Sequence, residues 1–239
     1  MIKEHFAAFI DDLRSTHGKN LSSVVLYGSA AAGDFVPHLS DYNIMIALHK
    51  IGPVDLRNAH ACIREWTKLG HPVPVYFTVS ELQNAADVFP IEFHQMTRAH
   101  KVLFGPDVLA GLTISDKFLR LQTEYELRSK LTQLRRQYIP ASASVEGLKY
   151  LMGESLSSFS ALFRAVLILH GIDPPLKKHE IVALTARHLG IEGKPFEKIF
   201  NIRENNFIQA LDEKSANELF GEYMEQIENV INAVDALEK

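Results

Sequence analysis

The period of the apolar residues changes along this chain, and that change constrains the fold more than any other feature. Residues 21–27, Leu21-Ser22-Ser23-Val24-Val25-Leu26-Tyr27, are rich in β-formers and stop at Gly28, the pattern of a buried strand. Residues 42–48 form a second such run and residues 73–78 a third. Pro74 lacks an N–H for a sheet ladder, so the third run is expected at an edge or a bulge. Val102-Leu103-Phe104 offers a last short strand before Gly105-Pro106. Between the strands, Ile2, Phe6, Phe9, Ile10 and Leu13 share a helical face, with Gly18 as a stop. Leu56, Ala59, Cys62, Ile63, Trp66 and Leu69 repeat in the same way and close at Gly70, and Ser80 can cap a short helix through Ala86.

Beyond about residue 110 only the helical period remains. Ser115 is placed to cap a long helix that Pro140 should stop. Ser144 opens another, ending at Gly171. Shorter helices are expected at 180–189 and 196–203. A final helix carries Leu219, Tyr223, Ile227, Val230, Ile231, Val234 and Leu237. Its apolar stripe is simplest as bundle core, although such a face also suits a homodimer. The expectation is an α+β chain: a mixed sheet with flanking helices in domain 1–110, then an all-α helical bundle in domain 111–239.

Composition sets outer limits. The chain has 239 residues, 46% of them hydrophobic, enough to bury a core. A net charge of −4, shared as −2 in residues 1–110 and −2 in the rest, argues against general nucleic-acid binding. The single cysteine, Cys62, excludes an internal disulfide framework and fits a reducing compartment. No run approaches the ~18 unbroken apolar residues of a membrane span, and residues 1–12 do not read as a targeting peptide. The expected location is cytoplasmic, with no membrane partner.

Chemistry concentrates in residues 26–44, Leu-Tyr-Gly-Ser-Ala-Ala-Ala-Gly-Asp-Phe-Val-Pro-His-Leu-Ser-Asp-Tyr-Asn-Ile. A strand ends in Gly28-Ser29, a turn where backbone N–H groups can approach a phosphate. Asp41 and Asn43 then stand two apart at the start of the next strand, so both oxygen-bearing side chains share a face. Such a pair places ligands on Mg²⁺ beside a triphosphate.

Strand, Gly-Ser, then Ser40-Asp41-x-Asn43 on the next strand resembles the nucleotidyltransferase superfamily, the fold of DNA polymerase beta and of the aminoglycoside nucleotidyltransferases. The resemblance in element order covers roughly residues 20–80. The helical remainder is similar, by architecture alone, to the bundles that follow this domain in antibiotic nucleotidyltransferases and HEPN-type proteins. The resemblance implies a nucleotidyltransferase-like fold in which Gly28 and Ser29 bind ATP or another nucleoside triphosphate. It further implies Asp41 as the catalytic carboxylate, with Asp41 and Asn43 as the ligands of Mg²⁺.

The chain departs from that pattern in three places. Asn43 stands where the family has Asp or Glu, removing a full negative charge. The third run, Val73-Pro74-Val75-Tyr76-Phe77-Thr78, contains no acid where a third carboxylate is expected, and Glu65 and Glu81 are the nearest. Ala30, Ala31 and Ala32 follow the Gly-Ser in place of a basic residue. Metal-assisted phosphoryl transfer needs carboxylates to hold the ions. Asp34 and Glu92 are the other candidate replacements: the first reads as a turn former, the second as an acid held near a core by Ile91 and Phe93 or, more simply, as an exposed acid on an amphipathic turn.

Other candidates read as structural. The histidines show no metal-binding spacing, and His94 and His100 lie off a common helical face. Cys62 shares an apolar face with Trp66. Arg128, Lys130, Arg135 and Arg136 form a solvated face, and Arg203-Glu204-Asn205-Asn206-Phe207 lacks the histidine of the HEPN ribonuclease signature. The leading expectation is therefore a nucleotidyltransferase-fold protein with an incomplete metal site, nucleotide-binding or regulatory. The alternatives are an active Mg²⁺-dependent enzyme that adds a nucleoside monophosphate to a small-molecule or protein hydroxyl, and an antitoxin-like interaction module.

Overall fold

The structure, a computed structural model, describes residues 2–33, 41–84, 88–204 and 211–237. Backbone contacts divide it into two compact units, Met1–Asp116 and Lys117–Lys239. The first contains α1 (Ile2–His17), β1 (Leu21–Tyr27), α2 (Ser29–Ala32), β2 (Asn43–Leu48), α3 (Pro53–Asn58), α4 (His60–Lys68), β3 (Val75–Thr78), α5 (Val79–Asn84), α6 (Pro90–Arg98) and β4 (His100–Phe104).

The four strands form one mixed sheet in the order β3-β2-β1-β4. β1 runs antiparallel to β2 and β4, and β2 runs parallel to β3. Parallel neighbours need a crossover, which α3 and α4 supply. β3 lies at an edge, as expected, but it begins at Val75, so Pro74 stands just before the ladder and not within it.

Alternation divides the strand side chains between two cores. Val24, Leu26, Ile44, Ile46 and Leu48 pack with Phe9, Leu13, Cys62 and Trp66 from α1 and α4. Val25, Met45 and Ala47 pack on the other face with Leu82, Phe93 and Met96 from α5 and α6. Val108, Leu109, Leu112 and Ile114 join this second core, so the chain stays with the first unit beyond Gly111.

Three local expectations need correction. The helix read over residues 56–69 is two helices that meet at Ala59. α5 is capped by Thr78, not Ser80: Thr78 Oγ1 accepts from Glu81 N at 3.0 Å, and Thr78 N donates to the Glu81 carboxylate at 2.6 Å. Ala86, the expected end of that helix, lies outside the described residues. The stretch around Glu92 is no isolated turn but the helix α6, with Pro90 in its first turn and Ile91, Phe93 and Met96 buried.

The second unit is helical: α7 (Leu119–Ala141), α8 (Val145–Leu169), α9 (Lys178–Leu189), α10 (Lys194–Arg203) and α11 (Glu213–Asp235). A short 3₁₀ turn, Asp116–Phe118, intervenes between Ser115 and α7. Pro140 sits inside the last turn of α7 instead of ending it. Ser144 caps α8, accepting from Gly147 N at 3.0 Å, and Asp212 caps α11 through Ser215 N at 2.7 Å.

α8 is long and apolar enough to cross a membrane by length and composition. Its apolar residues are instead core: Phe159 and Phe163 pack edge-on against Tyr223 of α11 and Phe196 of α10. The α11 stripe is likewise buried inside this unit.

Two predictions follow from this packing. Gly105 has φ +78°, and a Cβ there would collide with the Ser22 carbonyl. Gly105→Ala should therefore cost about 2 kcal/mol or more, read as a lowered denaturant midpoint. The second concerns His170, whose Nε2 is buried without a hydrogen-bond partner among the described residues. Burial lowers its pKa from 6.5, and His188, with its ring 4.8 Å away, lowers it further. The unfolded chain then binds the proton more readily, so stability should fall as pH drops below about 6.5, and His170→Gln should flatten that limb in pH-resolved thermal melts.

Candidate functional site

β1 and β2 bring the motif together. In their antiparallel register Tyr27 pairs with Asn43, so the end of β1 and the start of β2 lie side by side. Gly28 follows immediately, with φ +79° and ψ −151°, a conformation open to glycine, and its N–H donates to Ala99 O at 3.2 Å. Ser29 begins the single turn of α2, half-buried.

Asn43 is the first residue of β2, and Asp41 stands outside the ladder, exposed, two residues earlier. Asp34, Ser40 and the connection between them lie outside the described residues.

Asn43 faces α6. A Cβ built on Gly28 would lie 3.3 Å from Asn43 Nδ2 and 3.9 Å from Gln95 Nε2, so two carboxamides from different elements converge beside the glycine. Gln95 is the residue that sequence reasoning misses. Its signal is the helical start at Pro90, which puts Glu92 and Gln95 three apart on one face of α6.

Glu92 is half-buried, not exposed as expected. The Tyr27 phenol is pushed up first by burial and then by the charge of Glu92.

Glu81 and Glu65, the acids that flank the β3 run in sequence, are engaged in local contacts. The Glu81 carboxylate closes the α5 cap. Glu65 bonds Lys68 at 2.9 Å on the exposed side of α4, and that bond holds its carboxyl below the usual range. β3 contributes no acid: Val75 pairs with Met45 and is 36% exposed. Among the described residues no group of three or more His, Cys, Asp or Glu is placed to hold a metal ion. The donor set beside Gly28 does not fit the carboxylate cage that a pair of Mg²⁺ ions requires.

The other candidates are structural. His94 Nε2 lies 2.6 Å from Asp116, and His100 Nε2 lies 3.0 Å from Asp107. Cys62 is buried, its thiol pushed up by burial, which is core behaviour and not that of a nucleophile. Arg128 pairs with Glu124 within α7, and Arg135 pairs with Glu228 of α11. A groove of about 590 Å³ between α7 and α8 is lined by Lys130, Leu134, Tyr150 and Phe159, with none of the motif residues.

Glu81→Gln should lower stability by about 1 kcal/mol through the α5 cap, as thermal melts would read.

No protein-family model matches the chain, and no curated protein matches it in sequence. Among solved structures it is similar to spectinomycin adenyltransferase AAD(9) from Enterococcus faecialis, determined with ATP and spectinomycin. The TM-score is 0.59 at 14% identity, over 96% of this chain and 98% of that one. The chain therefore has a nucleotidyltransferase-like α+β fold followed by a helical region.

Proposed function

We propose that this protein uses the nucleotidyltransferase fold to bind a nucleotide and acts in regulation or assembly, with little or no transfer chemistry. The observation that carries this reading is the composition of the site. Gly28 and Ser29 form the phosphate-side turn, while the metal-side positions offer Asp41, neutral Asn43 and an acid-free β3. Nucleotide as the ligand class is supported by the similar solved structure, which was determined with ATP.

One observation favours a second reading, an active enzyme that moves a nucleoside monophosphate to a hydroxyl of a small molecule or protein. Glu92 lies close enough to Tyr27 to disfavour ionisation of the phenol, and Tyr27 pairs with Asn43. In this reading Glu92, half-buried on α6, is the replacement for the missing carboxylate.

Transfer of labelled AMP from ATP in Mg²⁺ separates the two. The expected rate is background, the same for the wild type, Asp41→Ala and Glu92→Gln. A rate well above background that Asp41→Ala abolishes would sink the regulatory reading, and dependence on Glu92 would assign the replacement acid.

A further inference from the structure

A groove of about 430 Å³ lies between α3, α4 and the edge strand β3, within the size range of small-molecule sites. It is on the sheet face opposite the Gly28 turn. Ile44 and Tyr76 belong to the core under α1 and α4, and Asn43, next to Ile44, alternates to the other face. Leu56, Ile63, Val73 and Tyr76 form the groove walls. Leu56 is 46% exposed and Val73 63%. Single exposed apolar side chains are ordinary, but these two open onto one hollow, where an apolar body would take both out of water.

Charge selects the ligand. Among the described residues that line the groove, Arg64 is charged, His60 can gain a charge, and none is acidic. His60 and Arg64 stand four apart on α4 and so share one face. Residues 53–76 hold two acids, Asp55 and Glu65, against three bases, Arg57, Arg64 and Lys68. Asp55 accepts from Gly52 N at 2.9 Å and from Asn20 Nδ2 at 3.1 Å, at the start of α3. Glu65 accepts from Lys68 at 2.9 and 3.1 Å and from Arg64 Nε at 3.3 Å. The two terminal nitrogens of Arg64 have no partner among the described residues, and its side chain is 58% exposed. A guanidinium so placed offers a fork of donors to an incoming anion. One full cation at the rim of an apolar hollow matches a ligand with an apolar body and a single negative charge.

We infer that this groove is a second ligand site, which takes a small amphipathic carboxylate. The chain of the ligand lies against Leu56, Ile63 and Val73, and its head meets Arg64 and His60. The site stands whether or not the Gly28 end binds a nucleotide.

Titration calorimetry of the full chain with octanoate, octanol and octyltrimethylammonium tests this. Octanoate should bind saturably, one per chain, and about tenfold or more tighter than the ammonium. Arg64→Gln should weaken octanoate about tenfold, the loss of one hydrogen bond to a charged group, and leave octanol unchanged. Val73→Asp, at an exposed position and checked for folding by thermal melts, should weaken octanoate at least as much. Leu69→Asp, equally exposed to solvent but outside the groove, should change neither ligand. Absence of saturable octanoate binding, or equal affinity for the ammonium, would overturn the inference. So would unchanged octanoate affinity in Arg64→Gln or Val73→Asp. A loss in Leu69→Asp as large as that in Val73→Asp would also overturn it, since it would mark adsorption to apolar surface at large.

Discussion

The antiparallel register of β1 on β2 is the constraint on which the rest of the first unit depends. Val24 and Val25 of β1 and Met45, Ile46 and Ala47 of β2 are fully buried, so each strand is covered on both faces. A slip of one residue would exchange the contents of the two cores. The same register sets Tyr27 beside Asn43 and delivers Gly28 to the end of the sheet. Site geometry is thus a by-product of core packing. α6 owes its position to the second core through Phe93 and Met96, and it carries Glu92 and Gln95 to the same place.

The acids of the first unit show how local structure competes with chemistry for the same residue type. Asp55 accepts from Gly52 N at 2.9 Å at the start of α3, and Glu81 closes α5. Asp107 accepts from the backbone of Leu109 and Ala110 and also meets His100. Each satisfies N–H groups that would otherwise lack a partner, which is what short acidic side chains do at helix and turn starts. Carboxylates so placed are committed to local backbone groups.

Much of this was legible from the sequence, and the reasons differ by element. β1 was readable to the residue because a fully buried strand has a continuous β-forming run closed by glycine. The edge position of β3 followed from one proline. The α8 cap followed from Ser144. α6 was not legible, because its nine residues are too few for a clear period and histidine, glutamine and threonine dilute its apolar face. Gln95 was hidden with it. The split at Ala59 was invisible because Leu56 falls in phase with Ala59, Cys62 and Trp66, although α3 buries none of its side chains. That residues 73–78 hold no acid was plain in the sequence, whereas the convergence of two amides on Gly28 required the tertiary fold, since Asn43 and Gln95 lie on a strand and on a helix 52 residues apart.

The exposure of Val75 has a bearing on how such a scaffold can change. β3 is held by its backbone ladder to β2 and by Tyr76 and Phe77 against the two cores, while the Val75 side chain faces solvent. Substituting an exposed side chain on an edge strand disturbs little packing. Asn43, half-buried at the strand end, is similarly peripheral to both cores. The residues that hold this sheet together are therefore largely separate from those at its exposed end, and the end can change in sequence while the cores stay the same.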